Sequence, residues 1–120
     1  MIWDGIERRR FVRVAFSFPA GISVDKQTMI SACAEEISEG GIKVTTAEGV
    51  QASTIVDLEI HLGEKPITCK GKIVRVRKIE SKHLKHGIVY DIGIEFKDMK
   101  EKDKETVRSV VAAKKREKML

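Results

Sequence analysis

Four arginines fall within six residues near the start of the chain, in the run Arg8-Arg9-Arg10-Phe11-Val12-Arg13. A guanidinium is a flat fork of donors. It matches phosphate oxygens in pairs, stacks on a base and pairs with the O6 and N7 edge of guanine. Arginines this dense, just ahead of a first strand, suit a nucleotide that carries both phosphates and guanines. On composition alone they equally suit a solubilising basic terminus. The second segment able to do chemistry is Glu36-Ile37-Ser38-Glu39-Gly40-Gly41. Its small residues predict a tight turn with a left-handed glycine. The Ser38 hydroxyl has two uses there, a bond to a ligand phosphate or a bond to its own backbone.

Elsewhere the reactive side chains do not converge. There is no phosphate loop, no dinucleotide fingerprint and no nucleophile elbow, and Gly40-Gly41 alone is too short to cradle a phosphate. His61 falls on the polar parity of its strand, and His83 and His86 sit in a lysine-rich loop without an evident third ligand, so they read as solvated histidines rather than a metal site. Cys33 and Cys69 have neither metal-site spacing nor disulfide-rich numbers and read as buried thiols in a reducing compartment. The expectation is a binding domain, not an enzyme, with no metal and no cofactor.

Composition narrows the partners. The 120 residues suit one domain, and 42% hydrophobic with 34% charged residues suits a globular chain with a heavily charged surface. The net charge of +5 favours anionic partners. Nucleic acid is the weaker choice among them, because aromatics are only 5% of the chain and supply no stacking platform for a single strand. No apolar stretch approaches the roughly 20 residues that span a bilayer. The opening residues lack a signal-type apolar segment, so a cytoplasmic location without membrane insertion is expected.

The elements that must position these groups are mostly strands. Phe16, Phe18, Ala20, Ile22 and Val24 alternate, with Pro19 marking an edge or a break in the ladder. Ile30, Ala32 and Ala34 follow, then Ile42 and Val44, then Val56, Leu58, Ile60 and Leu62. Ile67 to Arg77 reads as one long strand whose apolar parity changes between Ile73 and Val74, which predicts a bulge there. Ile88, Tyr90, Ile92, Ile94 and Phe96 complete the set. Six half-buried strands are best hidden in a closed or nearly closed antiparallel barrel, with a sandwich as the alternative. Glycine and proline then vanish, and Val107, Val110 and Val111 take helical spacing. A helix is expected from about Lys100 to about Lys115, with Asp98 as N-cap and Glu101 as its capping-box partner. Its valines suit either the barrel or a neighbour, including a second copy of the chain.

Taken together, Arg9-x-x-x-Arg13 followed by acidic-Ile-Ser-x-Gly-Gly resembles the PilZ domain, a family of bacterial receptors for cyclic di-GMP. Trp3-Asp4-Gly5 before Glu7-Arg8-Arg9, Gly93-Ile94-Glu95-Phe96 after Tyr90, and the closing helix extend the likeness over nearly the whole chain. The resemblance implies an all-β fold, a six-stranded antiparallel β-barrel of split-barrel type with a C-terminal α-helix. The chain then divides into an arginine arm over 1–13, a barrel over 14–97 and a helix over 98–118. It further implies that Arg9 and Arg13 hold cyclic di-GMP, with Arg8 or Arg10 adding a phosphate or stacking contact. Ser38 and Gly41 would line the opposite wall, with Glu36 and Gly40 in the same segment. Closure of the arm would signal to a downstream protein not identified by the sequence. Glu36 departs from the family's usual Asp or Asn, and its extra methylene moves the carboxylate by more than about an ångström. A barrel of this type that has lost the ligand and acts through protein contacts is the alternative.

Overall fold

A computed structural model describes residues 12–80 and 87–119, and every alternating stretch becomes a strand. The strands are β1 (Val14–Ser23), β2 (Met29–Ile37), β3 (Gly41–Thr46), β4 (Ile55–Ile60), β5 (Ile67–Glu80) and β6 (Ile88–Lys97), followed by the helix α1 (Glu101–Met119). All pairings are antiparallel. Besides the sequential neighbours, β3 pairs with β6 and β1 with β4, so the strands close into a barrel in the order β1-β2-β3-β6-β5-β4. The patterning alone left a sandwich open, and these two non-sequential pairings decide for the barrel.

Each strand contributes its inward parity to one core. Ile22, Ala34, Val44, Leu58, Ile73 and Ile92, one from each strand, are almost wholly removed from solvent. Branched aliphatic side chains fill the interior and fit the pleated wall, which is why these segments are strands. The expected bulge in β5 is present. Ile73 faces Ile94 and Arg75 faces Gly93, which leaves Val74 without a partner. One extra residue thus restores the inward parity after Ile73 and turns Val74 outward, where it is 41% exposed. Pro19 lies just before the β1–β4 ladder begins at Ala20, and its carbonyl accepts the His61 N–H at 3.1 Å. Its missing donor therefore falls at the end of that ladder.

Several boundaries differ from the sequence reading, with β5 running on to Glu80 rather than Arg77 and the helix to Met119 rather than about Lys115. Val24 lies beyond the end of β1 and is exposed, and Leu62 lies beyond β4 but still packs against the core. The helix begins at Glu101, and the Lys104 N–H donates to the Lys100 carbonyl at 2.9 Å, so Lys100 holds the cap position that Asp98 was expected to fill. Asp98 instead takes φ 53° and turns the chain from β6 toward α1, a conformation that aspartate tolerates better than most residues.

Helix α1 spends its apolar stripe on the barrel of its own chain. Val107 and Val111 are buried in the common core, while Val110 is half-buried. Near its end the Lys114 ammonium lies 4.9 Å from the centre of the Phe16 ring on β1. No helix among the described residues is long and apolar enough to cross a membrane. Because Val107 is buried in the chain's own core, Val107→Ala is expected to lower stability by about 1–2 kcal/mol, the transfer and cavity cost of two carbons less the gain in helix propensity. Val110→Ala is expected to change it by less than about 0.5 kcal/mol. Urea denaturation midpoints of the two variants check the difference.

Candidate functional site

The turn between β2 and β3 is built by Ser38 and closed by Gly41. A register shift between Ala34 and Glu36 sets Glu36 opposite Lys43 and Ile37 opposite Ile42. The Ser38 N–H donates to the Gly41 carbonyl at 2.9 Å, and the Gly40 N–H donates to Ser38 Oγ at 3.1 Å. Of the two uses open to the Ser38 hydroxyl, its oxygen thus serves its own backbone. Its hydrogen has only the Gly41 carbonyl at 3.5 Å, too long for a strong bond, and can turn outward to an acceptor.

The glycines act otherwise than expected. Gly87 is the one described glycine with positive φ, so neither Gly40 nor Gly41 is left-handed. Gly41 is required because β3 and β6 approach closely at this point. A Cβ there would run into the carbonyl oxygen of Ile94 and lie 3.3 Å from Glu95 Cα. The Gly40 carbonyl is also tied to β6, accepting the Phe96 N–H at 2.9 Å.

A cavity of about 670 Å³ opens beside this turn, within the usual range for a small-molecule site. Five of the expected site residues line it: Arg13, Glu36, Ser38, Gly40 and Gly41. Arg8, Arg9 and Arg10 lie outside the described residues. The cavity also takes Lys43, Val74, Arg75 and Lys104, which the motifs did not mark, and Gly93, which opens the Gly93-Ile94-Glu95-Phe96 phrase but was given no place in the site. Their signal in the sequence was register. Lys43 and Arg75 both pair with Gly93, and that pairing becomes visible only once β3 is placed beside β6.

The wall carries both signs of charge, but much of its acidity is engaged. Glu39 accepts from Arg108 Nε of α1 at 2.6 Å, and Glu95 lies 2.5 Å from Lys97 Nζ. Both cations stand outside the cavity lining, so they shift its balance toward positive. Glu36 is drawn across the hairpin to Lys43 Nζ at 3.6 Å. Lys43 Nζ also lies 3.8 Å from Asp91 Oδ2, which accepts from Arg77 Nη2 at 3.2 Å. The Asp91 side chain is buried, and its Oδ1 has no hydrogen-bond partner. A buried carboxylate so placed fixes the two cations beside it.

Little else here is chemically reactive. No group of three or more His, Cys, Asp and Glu among the described residues could hold a metal ion, and His83 and His86 lie outside those residues. Burial, aided by the negative charges of Asp103 and Asp98, pushes the Cys69 thiol up to about 11, which keeps it protonated and inert at neutral pH. Cys33 is exposed rather than buried, because Ala34 takes the inward parity of β2.

The family model described as the PilZ domain matches residues 7–113. No curated protein sequence matches the chain. Among solved structures, the PilZ domain with c-di-GMP of YcgR from Escherichia coli is similar at a TM-score of 0.74 and 11% identity, covering 92% of this chain and 93% of that one. The Bacillus subtilis inhibitor of motility (MotI/DgrA) is similar at a TM-score of 0.71 and 21% identity, covering 93% of this chain and 51% of that one. The K. pneumonia MrkH–c-di-GMP complex gives a TM-score of 0.74 at 18% identity, covering 88% of this chain and 51% of that one. This chain thus spans about half the length of the latter two. Likeness at such identities is likeness of fold.

Two outcomes follow from the site's geometry. Gly41→Ala is expected to lose about 1–3 kcal/mol of stability, because a backbone carbonyl cannot step aside as a side chain would; thermal or urea melts check it. A thiol-specific reagent at neutral pH is expected to modify Cys33 and spare Cys69 until the protein is unfolded, which peptide mass mapping would read.

Proposed function

This chain belongs to the PilZ domain family, and from that premise we propose that it is a receptor for cyclic di-GMP. PilZ domains are receptor modules rather than catalysts. The observation that carries the proposal is convergence: Arg13 and the segment Glu36, Ser38, Gly40 and Gly41, separated by over twenty residues of chain, line one cavity. In the proposed complex Arg9 and Arg13 reach guanine edges and phosphates, with Arg8 or Arg10 adding a further contact. Ser38 turns its free hydrogen to a phosphate oxygen. The arm of residues 1–13 closes over the barrel wall as the ligand binds.

Glu36 does not stand in the way of this reading. Its partner Lys43 lies at 3.6 Å, and both side chains are about one-third exposed, so the pair is weak and easily released. A route outward is also at hand. The Glu39–Arg108 contact joins the Ser38 turn to α1, and Lys104 of α1 lines the cavity. Movement of the turn on binding would reach the helix, and through its outer face a downstream protein.

Calorimetric titration with cyclic di-GMP tests the proposal, with an Arg9→Ala, Arg13→Ala double variant alongside. Saturable binding by the parent, weakened at least about a hundredfold in the variant, is the expected result, since each lost charged contact is worth about tenfold or more. A folded parent that gives no heat and no shift in melting temperature would contradict it and leave the barrel as a protein-interaction module.

A further inference from the structure

Strand β5 outruns its neighbour on one side. β6 stays with it to Glu80, but β4 accompanies it only to Lys72. The loop before β4 adds two bonds at Ile73, whose N–H donates to the Thr54 carbonyl at 2.9 Å and whose carbonyl accepts the Ser53 N–H at 2.7 Å. Beyond them, no strand among the described residues pairs with the outer edge of β5 from Val74 to Glu80. β6 in turn leaves β3 at Tyr90, so Lys78–Glu80 and Ile88–Tyr90 run on as a two-stranded ribbon past the last β3 pairing. Alternate residues along such an edge hold N–H and carbonyl groups open to a further strand.

Charge decides which strand that is. Lys70, Lys72, Arg75, Arg77 and Lys78 follow one another on β5 with no acid between them. Lys70 is spent on Asp57 at 2.6 Å. Arg77 gives Asp91 one bond at 3.2 Å, yet its side chain stays 64% exposed and keeps donors to spare. Among the described residues no carboxylate pairs with Lys72, Arg75 or Lys78. Arg75 and Arg77 are two apart and share one face of the strand, and Lys78 is exposed on the other. A second copy of the chain laid along this edge would set these cations against their own kind, which is destabilising. Charges that keep an edge from pairing with its own copies also select a strand of opposite sign.

We propose that the β5 edge from Arg75 to Glu80 takes up an extended acidic segment of a protein partner as an added strand. Carboxylates at alternate positions of that segment face Arg75 and Arg77, and its main chain continues the ladder beyond Ile73. The surface needs no cyclic di-GMP to form, so its failure would leave the receptor reading untouched.

A short blocked peptide of alternating Glu and Val, titrated into isotopically labelled protein and followed through the amide resonances, tests the edge. The same peptide with its valines changed to proline keeps the charge but loses ladder donors. The expected result is saturable shifts at Arg75–Glu80 with the first peptide and none with the second. An Arg75→Glu, Lys78→Glu variant that melts like the parent is expected to bind the first peptide about tenfold more weakly. Equal shifts from the proline peptide overturn the proposal, by reducing the contact to charge attraction without a strand. A folded parent with no saturable shift on β5 overturns it as well. Shifts of the same amides that grow with protein concentration in the absence of peptide overturn it in favour of a second copy.

Discussion

At Gly41 the backbones of β3 and β6 approach too closely to admit a Cβ, and the candidate site is organised around that contact. β3 and β6 are far apart in sequence, and their pairing is one of the two that close the strands into a ring. Because Gly41 opens β3, the same close approach seats the β2–β3 turn on the shoulder of the barrel, where the Gly40 carbonyl takes the Phe96 N–H. Ser38 then folds the turn against itself, and the cavity lies between this turn, the outer face of β6 and the bulged stretch of β5.

The electrostatics follow the same division. On the barrel, charges are fixed in pairs and chains: Glu36 to Lys43, Lys43 to Asp91, Asp91 to Arg77, and Glu39 to Arg108. Pairs this exposed contribute little to stability, and their use is to orient side chains and cancel acidity near the cavity. The exception is Asp91, whose buried carboxylate is only partly satisfied and depends on the cations beside it. Four cations among the described residues, Arg13, Lys43, Arg75 and Lys104, face the same cavity.

How much of this was legible in the sequence varies from residue to residue, for physical reasons. A two-residue period is a local signal, so the six strands could be read, and even the β5 bulge, because a parity change at Ile73–Val74 has no other economical explanation. The Ser38 turn was legible as a turn, but the use of Gly41 was not: its reason is the Ile94 carbonyl, more than fifty residues away. Lys43 and Arg75 were missed, and Gly93 was noted only as part of a family phrase, for the same reason, since nothing local to any of them says that they share a row. Asp98 misled because an aspartate three residues before a glutamate satisfies the capping pattern, whereas the chain needed a left-handed residue there to turn from strand to helix. Cys33 was misjudged by residue type, when its parity opposite to Ala34 already placed it outside.

The central claim is that cyclic di-GMP occupies the cavity between the Ser38 turn and the outer face of β5 and β6. Titration of isotopically labelled protein with cyclic di-GMP, followed through its amide resonances, tests this most directly. The account predicts saturable shifts concentrated at Glu36–Gly41, Lys43, Val74–Arg75 and Gly93, with β4 undisturbed. Saturable shifts confined to β1, β4 or the far end of α1, with the Ser38 turn and Gly93 unmoved, would contradict it.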